Sequence, residues 1–180
     1  QDDYLTDMLM DLGFATPGGA PPPQGTDAKP LRTRPFPVQI ALSYSHKDED
    51  LRTRLQTHLK LLERQGLIHI WNDREIQGGQ HWQNSIAQNF THADLILLLV
   101  SADFLASDYC YDVEMKSALA REAKGQTRVV PVILRACDWQ TAPFAKLQAL
   151  PKDGKPVTCW ANHDEALADV AAGVRLIVSQ

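Results

Sequence analysis

Cysteine is scarce in this chain of 180 residues, with three widely spaced copies and no CxxC pair: Cys110, Cys137 and Cys159. An odd, scattered set argues against a disulfide framework or a zinc site and favours a reducing, cytoplasmic setting. Long apolar runs are also missing. The longest aliphatic run, Leu95 to Val100, is far shorter than the roughly 20 residues that span a bilayer. The first residues show no signal-peptide pattern, so we expect no membrane partner.

An excess of positive charge is equally absent. The chain has 18 basic and 22 acidic residues, a formal net charge of −4. Surfaces that track phosphates carry clustered Lys and Arg, so direct binding of nucleic acid is disfavoured. The remaining composition, 44% hydrophobic and 22% charged, is typical of a soluble globular domain.

The motifs of several common chemistries are missing as well. There is no GxxxxGK[ST] phosphate loop, no GxSxG elbow and no histidine pair with zinc-hydrolase spacing. The first apolar run ends in Ser43-Tyr44-Ser45-His46 rather than GxGxxG, which disfavours a dinucleotide fold of the Rossmann type. The third run ends at Val100-Ser101, without the Asp of a response-regulator receiver. We expect no metal site.

Proline divides the chain into two units. Seven of the eleven prolines lie within the first 37 residues, and Pro17 to Pro37 has the composition of a stiff linker. Before it, apolar residues recur at helical spacing up to Gly13. We interpret residues 1–37 as a short helix plus linker at the end of an upstream domain, or as a docking helix; a frayed terminus is the alternative.

Residues 38–180 alternate apolar runs with helical patterns. Ser45 and Asp48 give a capping-box pattern for a first helix that Gly66 ends, and further helices are predicted near 82–90, 107–124 and 164–178. Pro131 indicates a bulge or a place near the sheet edge. Together these predict an α/β, flavodoxin-like, doubly wound sheet of five parallel strands, order 2-1-3-4-5, with helices on both faces. The predicted strands are Val38–Ser43, Leu67–Trp71, Leu95–Val100, Arg128–Leu134 and Pro156–Trp160.

In such a sheet, ligands bind beyond the carboxyl ends of the strands where the strand order reverses, here between the first and third strands. The helix that starts at Ser107 enters this region. Its residues Cys110, Glu114 and Ala118 share one helical stripe. Spacing alone leaves two alternatives for Glu114: a solvated surface side chain, or a carboxylate aimed into the crevice.

Four segments follow one another along the chain: Ala41–His46, Trp71–Trp82, Leu99–Cys110 with the following Glu114, and Val130–Trp139. Together they resemble a bacterial Toll/interleukin-receptor (TIR) domain of the NAD-cleaving type over about Val38 to Val178. Some members of that family are scaffolds that recruit other TIR domains, whereas others cleave NAD+ at the nicotinamide–ribose bond. In the enzymes the glutamate of the third helix is catalytic, and the resemblance assigns this role to Glu114.

The resemblance also implies substrate-binding positions. Trp71 corresponds to an aromatic beside the nicotinamide, and Ser45 and His46 to polar residues near the nucleotide. Asp73 and Arg74 fall in the BB loop, Asn72 to Gln80, which in this family moves and often joins neighbouring subunits. Two further tryptophans, Trp82 and Trp139, are interpreted as packing residues.

One position departs from the family pattern. Several hydrolytic members carry Trp four residues before the catalytic glutamate, where this chain has Cys110. By that position the resemblance also assigns Cys110 to the substrate-binding residues. Tyr109 and Tyr111 flank it, but in an α-helix they point about 100° to either side of that stripe. A stacking platform is then expected from Trp71 or from a neighbouring subunit. Both hydrolysis and cyclisation remain open as the reaction outcome.

By this resemblance we predict an NAD+ nucleosidase activated by self-association under an upstream domain, acting in bacterial antiphage defence. NAD+ is its substrate, and no cofactor is expected. The main alternative is a non-enzymatic TIR scaffold in which Glu114 is structural. A third possibility is an enzyme similar to nucleoside 2-deoxyribosyltransferases, which are also α/β proteins with a catalytic glutamate.

Overall fold

A computed structural model describes residues 37–71 and 90–180 of the chain. The predictions for the N-terminal helix and linker, for the BB loop and for most of the helix near 82–90 lie outside these residues. Within them, 90–92 are helical, which agrees with the end of that predicted helix.

The core of the fold is a parallel sheet whose described strands run in the order β2-β1-β3-β4. The registers are continuous: Ile40 pairs with Ile70 of β2 and with Leu95 of β3. This confirms the first four predicted strands, their direction and their order. The strands are β1 (Val38–Ser43), β2 (Ile68–Ile70), β3 (Leu95–Val100) and β4 (Arg128–Ile133).

The predicted fifth strand is wrong. Val157–Cys159 is a short 3-10 helix, and Pro156 before it has no N–H to donate to a ladder. Leu150 instead bridges the outer edge of β4, where its N–H donates to Pro131 O and its carbonyl accepts from Ile133 N, both at 2.8 Å. Pro131 itself keeps an unbroken register with β3. It therefore lies on the edge strand of the described sheet without a bulge.

Helices cover both faces of the sheet, as predicted. On the first face lie α1 (Glu49–Arg64) and α4 (His163–Val178). On the second face lie α2 (Ala102–Ala106), a π-helical segment (Tyr109–Met115) and α3 (Lys116–Ala123). Alternate residues of β3 enter the two hydrophobic cores, so all six residues of that strand are buried.

The local sequence signals predict one end of α1 correctly and the other end wrongly. Gly66 follows the helix with φ of +69°, a conformation that favours glycine, so the predicted stop is confirmed. At the other end the capping box does not form. Ser45 Oγ accepts from Lys47 N at 3.4 Å, and a 3-10 turn, His46–Asp48, precedes the helix. The Asp48 side chain turns into the protein, where it has other partners.

Candidate active site

A carboxylate lies at the carboxyl end of β1. Ser43, the last residue of β1, is fully buried, and its hydroxyl donates a short hydrogen bond to Glu114 Oε2. Ser43 also pairs with Leu98 of β3, so this contact lies where the strand order reverses. Of the two alternatives left open by the sequence, the structure has the half-buried Glu114 side chain directed at this end of the sheet.

The segment that carries Glu114 is π-helical rather than α-helical. Tyr109–Met115 continues into α3, and Ser107 Oγ accepts from Cys110 N at 3.3 Å at its start. In a π turn the hydrogen bond joins residues i and i+5. Tyr109 is five residues before Glu114, which in an α-helix would be roughly 140° around the axis. Because Tyr109–Met115 is π-helical, the angle between Tyr109 and Glu114 differs from this α-helical value.

Burial raises the pKa of the Tyr109 phenol to about 12, with smaller contributions from the negative charges of Glu114 and Cys110. The residue still exposes 40% of its surface. Its hydroxyl is therefore neutral at physiological pH.

Cys110 occupies the inward side of the same turn. Its thiol donates to Tyr44 O at 3.3 Å, and the residue is buried in the second core. Burial raises the pKa of the Cys110 thiol; the hydrogen bond with Ser107 opposes this, and the charges of Glu114 and Asp48 add to it. Since the thiolate is the reactive form, this cysteine is a poor nucleophile.

A network of charged groups surrounds the carboxyl ends of β1, β3 and β4. The Asp48 side chain is 1% exposed; it accepts from Arg135 Nε at 2.7 Å and from the Ser101 hydroxyl in a short hydrogen bond. Arg135 also pairs closely with Asp103, which Lys47 approaches to 3.4 Å. The Arg135 hydrogen bond is the main reason why the pKa of Asp103 lies below its ordinary value.

Sequence reasoning missed this network, along with the contact between Ser43 and Glu114. Asp48 was interpreted as part of a helix cap. One signal was available: Ser101 and Arg135 follow apolar strands almost directly, at the edge where parallel strands end together. Polar residues at such positions belong to the crevice of an open α/β sheet.

The predicted substrate-binding residues lie at different depths along this edge. Ser45 is half-buried after β1, and the exposed His46 makes an edge-to-face contact with Tyr44, with the ring centroids 6.1 Å apart. Trp71 follows β2 and donates its N–H to Ile40 O at 3.1 Å, which places it roughly 7–10 Å before Ser43 along β1.

The remaining predicted positions lie either outside the described residues or in the core. Asp73 and Arg74, in the BB loop, lie outside the described residues, as does Trp82. Trp139 packs against the second core, which confirms its interpretation as a packing residue.

Within residues 37–71 and 90–180, no three His, Cys, Asp or Glu side chains group so that they could bind a metal ion. No helix in that part of the chain is long and apolar enough to cross a membrane.

Comparison with known proteins agrees with this architecture. The sequence profile of the TIR domain matches residues 40–169. Over 136 residues the chain is 53% identical to the uncharacterized protein y4lF of Sinorhizobium fredii (strain NBRC 101917 / NGR234). That alignment covers 76% of this chain and 42% of the relative, so the chain spans less than half of the relative's length.

A solved structure shows the same fold. The TIR domain of the Toll-related receptor TRR-2 from Hydra magnipapillata superposes with a TM-score of 0.54 at 18% identity, covering 78% of this chain and 98% of that domain. Four parallel strands in the order 2-1-3-4, helices on both faces and the profile match together identify the family. The chain belongs to the TIR domain family.

Proposed function

We propose that this TIR domain cleaves NAD+ at the nicotinamide–ribose bond and that Glu114 is its catalytic residue. The observation that carries the proposal is the contact between Glu114 and Ser43. A buried hydroxyl at the end of β1 orients a carboxylate that stays half-exposed at the switch point of the sheet. Such a point is where open α/β sheets bind ligands.

One carboxylate is enough for this chemistry. Most glycosidases need a second carboxylic acid to protonate the leaving group. In NAD+ the nicotinamide is already a cation and leaves as a neutral molecule, so no general acid is required. What the protein must supply is negative charge beside the oxocarbenium-like ribose of the transition state, which an ionised Glu114 provides. We propose NAD+ as the substrate, with no further cofactor.

The remaining predicted positions would hold the rest of the substrate. Ser45 and His46, just after β1, are proposed to meet the nucleotide, and Trp71 to contribute an aromatic surface next to it. Cys110 lines the inner side of the turn that carries Glu114. Asp73 and Arg74 are proposed to act through the BB loop.

Assembly is proposed to control the reaction. TIR domains self-associate and bind other TIR domains. We propose that contacts through the BB loop, Asn72 to Gln80, complete the site and that an upstream domain drives the association. The proposed setting, a cytoplasmic bacterial effector of antiphage defence, comes from the resemblance described above.

Nicotinamide release from NAD+ across a protein concentration series, with and without a crowding agent, tests the proposal. We expect turnover to rise faster than protein concentration and to fall by roughly 100-fold or more in Glu114→Gln. Glu165→Gln, on the exposed surface of α4, is the matched control and should keep wild-type activity.

The other outcomes separate the alternatives. A wild-type protein that releases no nicotinamide even when crowded or self-associated would favour the scaffold. Exchange of bases on deoxynucleosides without any effect on NAD+ would favour an enzyme of the deoxyribosyltransferase type. Chromatography of the products then distinguishes ADP-ribose from a cyclic isomer.

A further inference from the structure

Both outer strands of the described sheet are contacted by a glutamate from the helix that precedes them. Glu63, in the last turn of α1, accepts the N–H of Ile70 in β2 on its Oε1 atom at 3.2 Å. Glu122, in the last turn of α3, accepts the N–H of Val129 in β4 on its Oε1 atom at 3.1 Å. Each glutamate comes seven residues before the strand residue that it contacts. Two separate helix–strand units therefore make the same side-chain contact.

The same kind of turn joins helix and strand in both units. After α1, Gly66 has φ of +69°, and its N–H donates to Glu63 O at 2.9 Å. After α3, Gly125 has φ of +66°, and its N–H donates to Glu122 O at 2.8 Å. A left-handed glycine that closes a helix in this way fixes the direction in which the chain leaves it. Each glutamate is thereby held beside the strand that follows.

The two strand N–H groups that the glutamates accept point to the outer sides of the sheet. In a parallel sheet, alternate residues of a strand bond to the neighbour on one side. Trp71 N donates to β1, so the N–H of Ile70, one residue earlier, faces away from β1. Arg128 N donates to the residue before β3, so the N–H of Val129, one residue later, faces away from β3. Both contacts therefore lie on the outer edges of the described sheet.

Along β4, every outward position is closed as a donor. Glu122 accepts from Val129 N, Pro131 has no N–H, and Ile133 N donates to Leu150 O at 2.8 Å. A strand edge with free N–H groups is a template on which another strand can pair, and proteins protect such edges with charged side chains and proline. The edge of β4 has both kinds of protection.

The glutamate at the edge of β2 is fixed by a second contact. Its side chain is 17% exposed, and Glu63 Oε2 accepts from Lys60 Nζ at 2.9 Å. A strand from another molecule would have to displace this side chain, or else bury its carboxylate against the carbonyl groups of the new strand. Either route costs free energy, because a buried charge needs partners of its own.

We propose that Glu63 and Glu122 are edge caps, side chains that close the two outer strands of the sheet to the addition of a strand from another protein molecule. This inference does not depend on NAD+ cleavage. It restricts the proposed self-association, because copies of the domain must then meet through helices or loops and not through paired sheet edges.

Amide hydrogen exchange followed by NMR tests each edge cap at its own strand. Glu122→Ala removes the acceptor of Val129 N, whereas Glu122→Gln keeps an oxygen in its place. In dilute Glu122→Ala we expect the Val129 amide to exchange roughly tenfold faster than in wild type, or more. The amide of Val130, on the inner side of β4, should change little, and Glu122→Gln should behave like wild type. An unchanged Val129 amide in Glu122→Ala would refute the edge cap.

A concentration series then shows whether an opened edge pairs with another strand. In Glu122→Ala the Val129 amide should become protected again as the protein concentration rises, because an added strand supplies the missing acceptor. Sedimentation velocity should show larger species than wild type at equal concentration. Glu63→Ala should give the same two results, with Ile70 as the reporting amide. Glu165→Ala, on the exposed surface of α4, removes the same charge elsewhere and should sediment like wild type.

Two further results would overturn the proposal. Alanine variants that expose these amides but sediment like wild type at every concentration would show that no strand adds to an opened edge. Association of Glu122→Gln or Glu165→Ala as strong as that of Glu122→Ala would assign the effect to lost charge rather than to the lost acceptor. Thermal melts followed by circular dichroism check the fold, and because the two edge caps lie on different strands, each one tests the proposal by itself.

Discussion

The two faces of the sheet carry helices of different regularity. On the first face, α1 and α4 are 16 residues each and bury continuous apolar stripes in the first core. On the second face, α2 has five residues, the π-helical segment seven and α3 eight. The regular helices bury apolar side chains, whereas the interrupted ones also direct polar groups such as Glu114 to the carboxyl edge.

This difference indicates that the helices on the two faces of the sheet have different roles. A π turn is a rare departure from α-helical geometry that occurs often at functional sites. Here it falls on the turn that bears the proposed catalytic residue. The two long helices of the first face have no such interruption and bury apolar side chains in the first core. The predictions below test this difference in role.

The largest effect is expected in the first core. Leu59 on α1 is fully buried, and Leu59→Ala should lower the free energy of unfolding by about 2–5 kcal/mol, because it removes apolar contacts and leaves a cavity. Leu61, two residues along the same helix, is 58% exposed, and Leu61→Ala should stay within about 0.5 kcal/mol of wild type. Urea unfolding measures both. Equal losses in the two variants would contradict the burial pattern.

A smaller loss of stability is expected from a substitution in the charged network at the carboxyl ends of the strands. Asp48→Asn retains the size of the side chain, but its NH2 group faces a donor, either Arg135 Nε or the Ser101 hydroxyl. We expect a loss of about 1–3 kcal/mol in the free energy of unfolding. The control is Asp50→Asn, on the exposed first turn of α1. If the control is as damaging, the buried network has no special role in stability.

Much of the fold follows from local sequence patterns. The four described strands coincide with apolar runs, and Gly66 ends α1 because a positive φ is required there. The same reliance on apolar runs produced the wrong strand at Pro156–Trp160, because a short apolar run can line a core without pairing as a strand. Val157 is indeed buried in the first core, but from a 3-10 turn.

The site was less predictable because its partners are distant in sequence. Ser43 and Glu114 are 71 residues apart, and Asp48 and Arg135 are 87 apart. No local spacing encodes such contacts. The π turn was missed because the stripe of Cys110 and Glu114 was drawn at α-helical spacing. Only the resemblance to the family singled out Glu114.

A moderate effect on activity, with little effect on stability, is expected at Ser43. Ser43→Ala removes the hydroxyl that orients Glu114, whose half-exposed carboxylate can then be hydrated instead. Given the proposed NAD+ cleavage, we expect kcat to fall by roughly tenfold. Ser117→Ala on α3 is the control. A Ser43→Ala protein with wild-type kcat would show that the orientation of Glu114 does not depend on this contact.

The smallest effect concerns the exposed end of the charged network. The hydrogen bond from Arg135 lowers the pKa of Asp103 below its ordinary value of 3.8. A carboxyl group with a lower pKa in the folded state stabilises the protein above its unfolded pKa, and this contribution is lost as the pH falls through the folded pKa. Asp103→Asn should therefore be less stable than wild type near pH 6. The difference should begin to shrink near pH 3.8 and vanish only below the lower pKa of the folded state.

Because Asp103 and Arg135 are both partly exposed, screening keeps this difference small and makes it shrink further in high salt. Urea unfolding of the two proteins between pH 3 and pH 6, at low and high ionic strength, measures it. A difference that stays constant with pH would mean that Asp103 acts through its shape and hydrogen bonding rather than its charge. The charge of Asp103 beside Arg135 would then make no contribution to stability at the carboxyl edge.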